Sequence, residues 1–215
     1  MSYHRIQFDD TNDFTTTRLG GLPMLSDPKD WPLYPPTGKP LLLVASIVGD
    51  FLTPEFPTLL VPTGFCLSVF CVFDPNDFDT TVSLMVHDDQ DFPNLASGGR
   101  MVLLHKASAQ PCAAPADAPP TIPMKKMSLQ LIPDGDHNFK QPDTGDIHCK
   151  VGGKGGWGQE PVQLDGMHYV LQLTETALGG GKHAHNGLFE GGVAFLFLKD
   201  PMSLGETGTF FIQFT

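Results

Sequence analysis

One ordered set of features occurs twice along this chain. The first copy reads Arg18-Leu19-Gly20-Gly21, then Trp31, then the apolar run Leu41–Ile47. A Gly-led aromatic run, Gly64–Phe73, and the pair Asp74-Pro75 close it. The second copy reads Lys150-Val151-Gly152-Gly153, Trp157, Tyr169–Leu173, Gly192–Leu198 and Asp200-Pro201. A basic residue, two glycines, a tryptophan, an apolar run, a Gly-led aromatic run and an Asp-Pro stop follow one order at nearly one spacing. Such self-similarity identifies a duplicated unit that cannot bury its apolar face alone.

The units are built from strands. Their apolar runs are short, rich in Val, Phe and Leu, and bounded by Gly or Pro, which suits core strands better than helices. The Gly-led runs are apolar at both parities, so both of their faces are expected to be covered. Pro cannot donate to a ladder and therefore ends each unit. The Gly pairs are expected as turns with positive φ or close backbone approach. Val82–Val86, Met101–His105 and Met127–Ile132 read as further strands, and the Ala/Pro-rich stretch 107–123 as an exposed extended connection. The expected fold is mainly β with few short helices: two intertwined pseudo-repeats of short strands sharing one core. Repeat one covers about 17–76, the connecting region about 77–146 and repeat two about 147–215, within a single domain.

Hydrophobic residues make up 40% of the 215 positions, with 16 Phe, enough to sustain such a core. No apolar run reaches the roughly 18–20 residues of a membrane-spanning helix. The first residues contain no apolar stretch followed by a small-residue cleavage site, so residence in the cytoplasm is expected. Cys66, Cys71, Cys112 and Cys149 form no CxxC pair. Cys66 and Cys71 point to opposite faces of a strand, and buried free thiols are the expectation. A net charge of −11 excludes nucleic acid as a natural partner and suits a basic one.

Chemistry is sparsely marked. No HExxH, GxSxG or zinc-type Cys pattern occurs, and no catalytic residue is assigned. His183 and His185 form a His-x-His pair on a Gly-rich loop and are the best chelate candidates, although no metal or other cofactor is expected. Asp134–Asn138 carries part of a calcium-loop pattern without its terminal Glu. Trp31, Trp157, Gln159, His183 and His185 are the candidate walls of a ligand site between the repeats.

The chain resembles the YwqG-like family of bacterial domains of unknown function. The resemblance rests on Arg18–Pro23 with Trp31-Pro32, Pro40–Ile47, Val61-Pro62 before Gly64, Val151–Gly153 through Trp157 and Gln159, Leu171–Leu173, Gly191–Phe197 and Gln213. The family usually has Ala-Gln where this chain has Ala45-Ser46, and Pro where it has Lys154-Gly155-Gly156. The resemblance implies intertwined β repeats and no established reaction. Some members are similar to, or encoded beside, immunity proteins that neutralise toxins. The functional expectation is therefore a cytoplasmic protein that binds a basic partner such as a cognate toxin, with a small-molecule binder or enzyme as the alternative. Oligomeric state is not legible.

Overall fold

The computed structural model describes residues 3–77, 80, 82–91, 98–133, 148–178, 185, 187–189 and 191–214. Among the described residues ten strands follow in chain order: β1 (Tyr3–Asp10), β2 (Arg18–Leu19), β3 (Leu42–Ile47), β4 (Phe65–Cys71), β5 (Arg100–Lys106), β6 (Lys125–Ile132), β7 (Lys150–Val151), β8 (Met167–Thr174), β9 (Val193–Lys199) and β10 (Gly205–Gln213). Helix is sparse among the described residues: three short 3-10 turns, Pro28–Asp30, Asp89–Asp91 and Glu175–Leu178, and helical positions at Thr80 and Val82. The strands close into one antiparallel barrel ordered β1-β6-β2-β3-β4-β5-β10-β9-β8-β7, with β7 returning to β1. Closure removes the free sheet edges that would otherwise invite aggregation.

This order encodes the duplication. Taking β1–β5 as one unit and β6–β10 as the other, exchanging the two units maps the ring onto itself in reverse. Each unit donates its first strand to its twin. β1 lies between β6 and β7, whereas β6 lies between β1 and β2. Register follows the same symmetry, with Arg18 opposite Ser46 and Lys150 opposite Gln172. A bulge interrupts the β3–β4 ladder between Leu43 and Ala45, and another interrupts β8–β9 between Tyr169 and Leu171. A bulge bends a strand and increases its twist, which a closing sheet requires.

The inward faces of both units feed one core, which includes Ile6, Leu19, Ala45, Val69, Val102, Val151, Leu171, Leu196 and Phe210. The outward faces of β3, β4, β8 and β9 are buried too, because the loop after each Gly pair folds over its own half of the barrel. In repeat one, Trp31 packs edge-on against Phe70 at 6.2 Å. In repeat two, Trp157 stacks on Phe195 at 4.4 Å within a cluster containing Val162, Phe197 and Phe211. Each aromatic side chain so buried contributes on the order of 1.5–3 kcal/mol.

Two expectations are corrected. Val82–Val86 is not a strand of the barrel ladder: Val82 is helical and turns follow it, with Ser83 N–H donating to Thr80 O and Met85 N–H to Val82 O. Its end fills the margin of β10 that β5 does not reach, through a single parallel bridge between Met85 and Ile212. The connection 107–123 is extended but not simply exposed. Cys112 and Ile122 are buried, and its backbone bonds to the loop after the first Gly pair, Cys112 N–H to Pro23 O and Gly21 N–H to Ile122 O. A Pro-rich chain has few donors of its own, and here neighbouring backbone supplies the pairing.

Candidate functional site

Of the described candidates read from the sequence, Trp157 and Gln159 lie together, and Trp31 and His185 lie elsewhere. Trp31 is buried on the outer face of repeat one, its indole N–H donating to Leu41 O at 2.9 Å. Trp157 and Gln159 cover the outer face of repeat two, where Gln159 N–H donates to the Gln213 side-chain oxygen at 3.4 Å. His185 lies under Phe73, and its Nε2–H donates to Pro120 O, so chelation through that nitrogen requires breaking a bond. His183 and Asp134–Asn138 lie outside the described residues. Among the described residues no group of three or more His, Cys, Asp or Glu side chains is placed to hold a metal ion. All four cysteines are buried and unbridged.

A cleft of about 370 Å³ instead forms where three distant segments meet: Tyr34–Pro40, Val72–Asp77 with Thr80, and Asp117–Pro120. Phe73 and Tyr34 are nearly buried in its walls, and Asp74, Asp77 and Asp117 rim it. Lys39 Nζ pairs with Asp74 Oδ2 at 2.9 Å. The bond to Asp74 raises the Lys39 pKa, and Asp77 and Asp117 act in the same direction. Three carboxylates thus face one lysine beside two aromatic rings, an arrangement that favours a further cation. The turn after β4 positions Asp74, whose Oδ1 accepts from Asn76 N–H at 3.0 Å. The sequence marked Asp74-Pro75 only as a strand stop. Nothing local announces that Asp117 joins it, because the connection carrying Asp117 is brought there by the tertiary fold.

A second, more apolar groove of about 470 Å³ crosses the seam between the repeats, where β5 meets β10. Leu25, Phe65, Leu103, Leu104 and Leu204 line it, with His105 among them. Behind the groove Ser68 Oγ–H donates to His105 Nε2 at 2.9 Å, while His105 Nδ1–H donates to Lys106 O at 2.9 Å. The carbonyl can only accept, which fixes the tautomer. Burial lowers the His105 pKa and so favours this neutral ring. The pair resembles a nucleophile and base in composition only, since Ser68 has no exposed surface and no substrate reaches its Oγ.

No helix among the described residues is long and apolar enough to cross a membrane. No protein-family model matches the chain, and no curated protein matches it significantly.

Proposed function

We propose that this chain is a binding protein for a basic protein partner, and that the Tyr34–Phe73 cleft receives a lysine or arginine side chain from it. The carrying observation is the rim of Asp74, Asp77 and Asp117 around a single lysine and two aromatic rings. The net charge of −11 supports the same reading, since complementary charge accelerates encounter and selects partners. The YwqG-like resemblance supports a finer version, in which the partner is a toxin neutralised in the cytoplasm.

Titrating the full chain with a short arginine-containing peptide, followed by amide chemical shifts, tests the cleft. Shifts concentrate at residues 34–40, 73–77 and 117–120. The double variant D77N/D117N weakens binding by about threefold to tenfold, the effect of two solvent-exposed charges. Binding that is centred elsewhere, or indifferent to both substitutions, would overturn the assignment.

The seam groove favours a second reading, a small-molecule site between the repeats, walled by Phe65, Leu103 and Leu204 and not by the tryptophans. In the same experiment an amphiphilic aromatic probe shifts Leu103, Leu104 and Leu204 if this reading holds, and leaves them unmoved if it fails.

A further inference from the structure

The two repeats treat their equivalent outer faces differently. Register places Arg18 and Ser46 of repeat one where Lys150 and Gln172 stand in repeat two, and Ser68 where Phe195 stands. In repeat two this row is satisfied by its covering loop together with the strands beside it. Gln172 Oε1 accepts from Gly156 N–H at 2.7 Å and from the Tyr169 hydroxyl at 3.2 Å, and Gln172 Nε2–H donates to His148 O at 2.9 Å. Phe195 fills the neighbouring position beneath Trp157. Lys150 Nζ lies over the Tyr3 ring, 5.0 Å from its centroid.

Repeat one has shorter side chains at both positions, and its polar atoms are not satisfied. Arg18 is fully buried. Its Nη2–H donates to Leu22 O, and the Phe14 ring covers one face of the guanidinium at 5.5 Å. Arg18 Nε and Nη1 are buried without hydrogen-bond partners, and Ser46 Oγ has no well-aligned partner, with only the Cys66 thiol beside it. Among the described residues no carboxylate lies within ion-pairing distance of Arg18; Asp13 acts on it only weakly and from the surface. Cys66 and Ser68 complete the surroundings, with their side chains 3.7 Å apart.

A buried, uncompensated cation with unmet donors is among the costliest arrangements in a protein interior. Three N–H groups, one on Nε and two on Nη1, and one hydroxyl, facing the same side of adjacent strands, are a donor set for an anion. One positive charge matches a monovalent ion. A single guanidinium leaves the second charge of phosphate unmatched.

We propose that Arg18 and Ser46, with the adjoining Cys66, form a buried site for a monovalent inorganic anion of halide size, taken up by repeat one alone. The site is independent of the acidic cleft and of any basic partner. It makes stability depend on the identity of the anion and not only on ionic strength.

The test is thermal unfolding of the full chain in sodium chloride or sodium bromide against sodium gluconate at equal ionic strength. The melting temperature is expected to rise about 3–5 °C for each tenfold increase in halide above its dissociation constant. Gluconate, too large for the site, gives no such rise. R18M removes the dependence, and S46A shifts its midpoint to at least threefold higher halide. Crystals grown in bromide show anomalous density within bonding distance of Arg18 Nε or Nη1. Equal melting in halide and gluconate would overturn the proposal, as would a halide effect that survives in R18M. Should R18M not fold, S46A and the bromide density decide the matter.

Discussion

Burial holds His105 in its neutral form, below the ordinary imidazole pKa of 6.5, with the Lys106 carbonyl and Asp30 opposing that shift only in part. Above pH 7 folded and unfolded chains are both neutral at this position, so it contributes no pH dependence there. As pH falls below 6.5 the unfolded chain takes up a proton that the folded ring resists, and stability declines. Urea midpoints measured between pH 7.5 and 5 should therefore fall with acidity, and H105Q should flatten part of that slope. An unchanged slope in H105Q would show that the burial of this ring is not felt. Asp13, Asp74 and Asp91 act in a separate window. Hydrogen bonds from Thr15, Lys39 and His87 respectively hold their pKa values below 3.8, so their contribution is lost only below that pH. At this scale the sequence was only partly legible. The paired basic residues Arg18 and Lys150 stood out by recurrence. Their surroundings did not, because whether a buried cation is satisfied depends on cross-strand neighbours and on the loop above it.

The Gly pairs show why an element can be read from sequence while its tolerance cannot. Gly20 and Gly152 both adopt positive φ, 66° and 72°, as expected for the turns that open each repeat. Their surroundings differ. A Cβ on Gly20 would lie 2.5 Å from the Ile122 carbonyl oxygen, backbone of the connection threaded against it. A Cβ on Gly152 would meet the Glu55 side chain at 2.6 Å, which can rotate away at the expense of its 2.8 Å contact with His4. Both substitutions incur roughly 1–2 kcal/mol for a left-handed non-glycine residue. G20A should lose about 1–3 kcal/mol more than G152A, the cost of overpacking against atoms that cannot move aside. Equilibrium denaturation of the two variants measures the difference, and equal losses would mean that the connection yields. The same contrast explains the strands. Gly64–Phe73 and Gly192–Leu198 were recognisable because local composition and bounding turns both specify a core strand. Val82–Val86 is rich in strand formers too, yet it makes only one bridge, Met85 to Ile212, on the part of β10 that β5 leaves unpaired, and is otherwise held by local turn bonds. Partner availability is not written in a five-residue window.

Exchange of first strands governs the whole molecule. β1 pairs with β6 and β7 and with no strand of its own repeat; β6 pairs with β1 and β2 and with none of its own. Recurrence in the sequence points to two copies; β1 precedes the first recurring feature and β6 lies in the stretch between the copies. β1 and β6 lack the Gly-led aromatic signature, because their outward faces are largely polar and exposed: Arg5, Gln7 and Asp9 on one, Lys126 and Gln130 on the other. The topology predicts how the chain behaves when cut. A break in the exposed Ala113–Ala114 stretch separates β1–β5 from β6–β10 and leaves each fragment with a first strand stripped of both neighbours. It also opens the β5–β10 seam and divides the shared core. Neither fragment should unfold cooperatively alone, because each keeps only a four-stranded sheet with its inner apolar face in water. Mixed in equal amounts, they should regain the β-sheet circular dichroism and a single transition whose midpoint rises with concentration, as mass action requires of an obligate pair. A fragment that melted cooperatively alone would show that one repeat is self-sufficient. The exchanged strands would then decorate a finished domain instead of completing it, and the barrel would have to be regarded as two domains in contact.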